Sequence, residues 1–173
     1  MPEEDHIDRF LKRLEPVAAV GIDLEVEGIV DRVNGISRRI KRGMETTLAE
    51  HGLTVPDWQV LTSLRLAGPD YRSAPGSLAA DLELSSGAMT SRLDRLEEAG
   101  LVRRLRDPDD RRGVVVELTA AGRKAWDEAA SVQGRREAFF ASALDKQEQQ
   151  QLNALLRKLM LAFESAATTL IDC

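Results

Sequence analysis

Apolar positions recur with helical period along most of the chain. Ile7, Phe10, Leu11 and Leu14 share one helix face and stop before Pro16, which predicts a short amphipathic helix over 5–14. After a break at 21–23, the series Leu24, Val26, Ile29, Val30, Val33, Ile36, Ile40, Met44, Leu48 keeps a period near 3.6 until His51-Gly52. A helix of about 25 residues spans about 38 Å at 1.5 Å per residue. One small domain rarely wraps a helix of that length, so a dimer or a two-layer body is expected.

Thr54-Val55-Pro56-Asp57 carries helix-start signals: a capping hydroxyl, a proline tolerated in the first turn, and an acid at the third position. Trp58, Leu61 and Leu64 line one face of that helix, and Ala67-Gly68-Pro69 ends it. A polar loop to Ser73 leads into a short helix over 75–84, with Leu78 and Leu82 inward. Its cap position holds Ala74, where a serine or threonine is expected. Ser85-Ser86-Gly87 turns tightly into a second helix over 87–99, stopped by Gly100. Two extended runs, 101–106 and 114–118, flank a Pro/Asp/Gly-rich tip and predict a β-hairpin. Thr119 caps a helix to about Leu144. Asp145 and Glu148 form a second start signal, followed by the strongest apolar stripe in the chain: Leu152, Leu155, Leu156, Leu159, Met160, Phe163, Leu170.

Composition narrows the classes. At 173 residues, 43% hydrophobic, 31% charged and 4% aromatic, the chain reads as about one helix-rich globular body. No apolar run approaches the ~18 residues of a membrane span, and the acidic, mixed stretch 1–13 predicts no secretory signal. Cys173 alone supports no disulfide, and with His6 and His51 it offers no Cys/His metal site. No cofactor and a cytoplasmic location are therefore expected. The net charge is −5. Residues 1–52 hold 8 basic and 11 acidic side chains, 53–119 hold 9 and 11, and 120–173 hold 7 and 7. Any nucleic-acid binding must then rest on a local arrangement of charge, within the roughly 8–10 Å that salt leaves unscreened.

The order helix, short helix, tight turn, helix, hairpin is that of a winged helix-turn-helix, whose second helix reads DNA. At about 100° per residue, Met89, Leu93 and Leu96 of the 87–99 helix gather on one side. Gly87, Ser91, Asp94 and Glu98 lie opposite, with Thr90 and Arg95 flanking. The first two turns of the outer face are small and polar, which suits entry into a groove about 12 Å wide. Arg92 turns about 60° from the apolar centre, so it either pairs with a carboxylate or reaches an anionic ligand. Arg104 starts the strand beneath the same helix, and the two guanidiniums are expected to converge on an anion, with Gln59 adding a neutral hydrogen bond, unless Asp94, Glu97 or another acid pairs them. At the hairpin tip, Arg111 and Arg112 beside Gly113 suit the negative potential of a minor groove, and Asp110 can fix the guanidinium geometry. A solvated surface hairpin is the plain alternative. A winged helix serving as a protein–protein module is the rival function. No Ser/His/Asp set, metal cluster or phosphate loop supports an enzyme.

The stretch Leu-Ser-Ser-Gly-Ala-Met-Thr-Ser-Arg-Leu-Asp-Arg-Leu-Glu-Glu-Ala-Gly-Leu-Val-Arg-Arg (84–104), followed by Asp-Pro-Asp-Asp-Arg-Arg-Gly-Val-Val-Val-Glu-Leu-Thr (107–119), resembles the DNA-binding domain of the MarR family of bacterial regulators. With the flanking helices the resemblance covers residues 22–170. It implies a mostly α fold with a small β-hairpin wing: a winged helix-turn-helix over 53–119, a helical dimerisation region over 21–52 and 120–173, and an extra N-terminal helix within 1–20. It implies a homodimeric, ligand-responsive repressor of a pseudo-palindromic operator in double-stranded DNA, released by a small organic anion. By motif position, Ser86, Thr90, Ser91 and Arg95 would contact DNA, and Arg112, oriented by Asp110, would enter the minor groove. The extra helix also resembles the urate-responsive branch. Arg92 and Arg104 match that branch's two ligand arginines, Gln59 stands where its aspartate does, and residues 1–15 lack its tryptophan.

Overall fold

The computed structural model describes residues 4–18, 21–107 and 113–170, with the side chains of 166–170 excepted. Two compact units divide the chain, residues 1–129 and 130–173.

In the first unit, α1 (His6–Leu14) opens with a reciprocal cap. The Asp5 carboxylate accepts from the Ile7 and Asp8 backbones, and Asp8 accepts from the Asp5 backbone. A 3-10 turn follows at Glu15–Val17. Helix α2 (Leu24–Glu50) is capped by Asp23 and, at 27 residues, is about 40 Å long. Arg32 of α2 ties α1 down: its Nε lies 3.0 Å from Asp5 Oδ2 and its Nη2 lies 2.5 Å from Asp8 Oδ1. The Asp8 backbone N–H first, and the Arg32 guanidinium with it, hold the Asp5 carboxyl down at about 2. Gly28 permits the approach, since a Cβ there would stand 3.1 Å from Leu11 Cδ1 and 3.0 Å from Arg32 Nη1. The apolar row Val26, Ile29, Val30, Val33, Ile36 and Ile40 nevertheless stays 40–53% exposed.

Helix α3 (Val55–Leu66) starts from the Thr54/Asp57 capping box. Helix α4 (Pro75–Asp81) has no side-chain cap at Ala74, and it ends three residues before the span its apolar pattern predicts. Helix α5 (Ser86–Glu98) is capped by Ser85, whose Oγ accepts from the Ala88 backbone at 3.3 Å. Three strands form an antiparallel sheet in the order β1 (Arg72–Ser73), β3 (Val114–Leu118), β2 (Val102–Arg106). The hairpin is the expected one. Strand β1 is not: two residues carry no periodic signal, and the free edge of β3 recruits them, pairing Arg72 with Glu117 and Ser73 with Val116. Val60, Leu61, Leu64, Leu78, Met89, Leu93, Leu96, Val102, Val116 and Leu118 form the core, all at most 2% exposed.

Helix α6 (Ala120–Ala141) starts from Thr119, whose Oγ accepts from the Gly122 backbone at 3.0 Å and donates to the Gly100 carbonyl at 2.8 Å. Trp126 stacks on Trp58 at 5.3 Å between ring centres, and its indole N–H donates to Thr62 Oγ at 2.9 Å. Both tryptophans are thus packed against the core. The boundary between units falls within α6, which stops three residues short of Leu144. In the second unit, Asp145 and Glu148 form the expected capping box of α7 (Lys146–Leu170). Its apolar stripe is open, with Leu152, Leu155, Leu156, Leu159, Met160 and Phe163 at 39–72% exposure. Among the described residues no helix is long and apolar enough to cross a membrane, and no cluster of His, Cys, Asp and Glu could hold a metal ion.

Candidate nucleic-acid interface

Helix α5 buries Met89, Leu93 and Leu96 and presents the opposite side to solvent. Ser86, Gly87, Thr90, Ser91, Asp94 and Arg95 are all exposed. The Thr90 hydroxyl donates back to the Ser86 carbonyl at 2.9 Å, which leaves its oxygen able to accept. The outer face is thus small and polar over its first two turns, as the sequence predicts.

Arg95 is held from behind. Its Nη2 donates to Thr54 Oγ at 3.0 Å and forms an ion pair with the carboxylate of Asp57. That carboxylate is 2% exposed, whereas Arg95 is 53% exposed. Asp57 also accepts from the Thr54 backbone at 2.8 Å and the Thr54 hydroxyl at 2.7 Å, so the cap of α3 and the orientation of Arg95 share one acid. In the sequence Asp57 carries only a capping signal. The spacing of 38 residues to Arg95 holds no signal that the two meet.

Arg104 of β2 is clamped to α5. Its Nη1 lies 2.5 Å from Glu97 Oε2, its Nη2 lies 2.6 Å from Asp94 Oδ1, and its backbone N–H donates to Glu97 Oε1 at 2.8 Å. The Arg104 backbone N–H, the largest influence, and the guanidinium hold the Glu97 carboxyl below its ordinary range against the opposing effect of burial. The expected convergence of Arg92 and Arg104 does not occur. Arg104 engages the flank of α5 that carries Thr90, Asp94 and Glu97. Arg92 lies on the other flank, beside Ala88, Ser91 and Arg95, roughly 160° around the helix. The physical reason is the pair of acids on α5, which satisfy Arg104 locally. Gln59 is exposed on α3. Asp110, Arg111 and Arg112 lie outside the described residues.

The base of the hairpin holds a second charge group. The register aligns Arg72, Glu117 and Arg103 across β1, β3 and β2. Arg72 donates to Glu117 Oε1 from Nε at 3.0 Å and from Nη2 at 2.8 Å, and Arg103 bonds Oε2. Arg103 first, then Arg72, depress the Glu117 pKa. The 103–117 pairing follows from the hairpin register. The third member, Arg72, depends on β1, in a segment that the sequence predicts as a polar loop.

A model of the MarR family matches residues 53–114, the segment that carries this helix-turn-helix and sheet. The regulator PecS of Dickeya dadantii is 30% identical over 79% of this chain and 84% of its own length. The solved structure of YusO from Bacillus subtilis is 25% identical with a TM-score of 0.70, covering 82% of this chain and 99% of that one. A variant of Escherichia coli MarR crystallised with operator DNA is 29% identical with a TM-score of 0.62, covering 78% and 95%. The likeness spans both compact units and the same winged helix-turn-helix, and on it the chain belongs to the MarR family of transcriptional regulators.

Proposed function

We propose that this chain acts as a homodimeric repressor of a pseudo-palindromic operator, with residues 53–119 binding DNA and residues 21–52 and 120–173 forming the dimer. Helix α5 enters the major groove, where Ser86, Thr90, Ser91 and Arg95 lie against the duplex, and Arg112, oriented by Asp110 and beside Arg111, reaches the flanking minor groove. The observation that carries this reading is the exposed, small and polar outer face of α5 with Arg95 braced against it by buried Asp57. A partner-binding helix favours exposed apolar anchors instead. Dimerisation is supported by the uncovered apolar rows of α2 and, separately, of α7. The similarity to the Escherichia coli MarR variant crystallised with operator DNA supports the same target.

A small organic anion is the proposed effector. Gln59 and Arg104 are the groups to test for it, and an anion reaching Arg104 must displace Asp94 and Glu97. A cytoplasmic location belongs to the same proposal, because a bacterial operator lies there. The test is selection of duplexes from a randomised pool, followed by sedimentation of the complex. Recovery of an inverted repeat with half-sites about one helical turn apart, bound two chains to one duplex, is the expected result. A chain that enriches no duplex overturns the reading.

A further inference from the structure

We propose that Arg92 is a DNA-backbone contact: with Thr54, Ser91 and Arg95 it forms a seat for one phosphate of the bound duplex. This rests on the DNA-binding reading and adds a residue to it. Arg92, Thr54, Ala88, Ser91 and Arg95 line an open depression of about 440 Å³ between the start of α3 and the outer flank of α5. The depression adjoins the small polar face of α5, because Ser91 and Arg95 belong to both.

The charges in it are unequal. Arg95 is matched by Asp57, which is buried and also bonded to Thr54. Arg92 is half-buried and has no hydrogen-bond or ion-pair partner among the described residues. Arg32, Arg72, Arg103 and Arg104, by contrast, each have a carboxylate. A half-buried guanidinium without an acceptor is unfavourable, and a tetrahedral oxyanion supplies two acceptors in the fork geometry that arginine matches. Arg104 lies on the far flank of α5, already held by Glu97 and Asp94, so an anion at Arg92 meets Arg95, Ser91 and Thr54 instead. Those neighbours are hydroxyls and a second cation, and Ala88 is the one apolar side chain in the lining. That lining suits a phosphate on a passing backbone better than an organic anion that needs its carbon skeleton buried.

The experiment measures affinity against salt for the tightest 30-base-pair duplex recovered by the wild-type chain from a randomised pool. Arg92→Gln is expected to weaken binding about 5- to 100-fold, on the scale of one lost contact per protomer. It should also flatten the slope of log affinity against log salt by about 0.9 per contact, hence about 1.8 for a dimer. Arg92→Lys keeps the charge and should keep most of the slope. Arg13→Ala, a charge loss on exposed α1, should leave the slope unchanged. If Arg92→Gln binds the duplex with the wild-type slope, the inference is overturned and the DNA-binding reading stands. A wild-type chain that binds no duplex overturns both. Inorganic phosphate separates the remaining source. Should it raise the melting temperature of the wild type but not of Arg92→Gln, while both share one salt slope, the depression is a free-anion site and the inference fails.

Discussion

Glu97 grips Arg104 twice, one carboxylate oxygen accepting from the backbone N–H at 2.8 Å and the other from the guanidinium at 2.5 Å. A helix side chain thereby fixes both the position of strand β2 and the direction of the side chain it carries. Glu97→Ala should lower stability by only about 1 kcal/mol, because both partners are partly solvated. It should also speed hydrogen exchange at the Arg104 amide. Urea titration and exchange together check this. An unchanged amide would mean that the strand does not depend on the clamp.

Glu117 gives the sheet an acid-sensitive row. Its carboxyl, like that of Glu97, titrates below the ordinary glutamate range in the folded chain. The unfolded state therefore binds protons first as pH falls. The stabilisation is complete above the unfolded value of about 4.3 and is lost as pH falls through the folded values. Thermal melts should be flat in this respect from pH 7 to about 5 and decline below it. Glu117→Gln should reduce that decline and cost about 2 kcal/mol at neutral pH, since Arg72 and Arg103 then face each other without an anion.

Gly122 is where α6 passes against the turn into β2. A Cβ there would stand 2.1 Å from the Leu101 carbonyl oxygen and 2.7 Å from Leu118 Cδ1. Neither the backbone nor the buried leucine can yield cheaply. Gly122→Ala should destabilise by about 2–3 kcal/mol despite the better helix propensity of alanine. A melting temperature at or above wild type would contradict the packing.

Leu156 lies in the open stripe of α7 at 40% exposure. In a homodimer that stripe is covered, and Leu156→Glu would bury an unpaired charge. Sedimentation should show monomers, with operator binding lost. A monomeric variant that still binds the duplex with wild-type affinity would break the link between dimer and function.

Arg112→Ala should weaken duplex binding by about 1–3 kcal/mol and reduce its salt dependence, with little change in melting temperature. Unaltered affinity at fixed salt would remove the wing tip from the interface.

Most of the elements are legible in the residues alone, because each is a local matter. Period 3.6 marks α2 and α7. Thr54 with Asp57, and Asp145 with Glu148, mark helix starts through bonds spanning three residues. The 84–119 motif carried the family. Which charges meet depends on how distant segments pack. Strand β1 exists because β3 has a free edge 45 residues away, and with it comes the Arg72–Glu117 bond. Asp57 reaches Arg95 across α3 and α5, and Arg104 finds two acids on α5 instead of sharing an anion with Arg92. A helical wheel gives a side chain's direction but not what stands opposite it. Ion pairing depends on a few ångströms of separation between distant segments, and packing alone sets that distance.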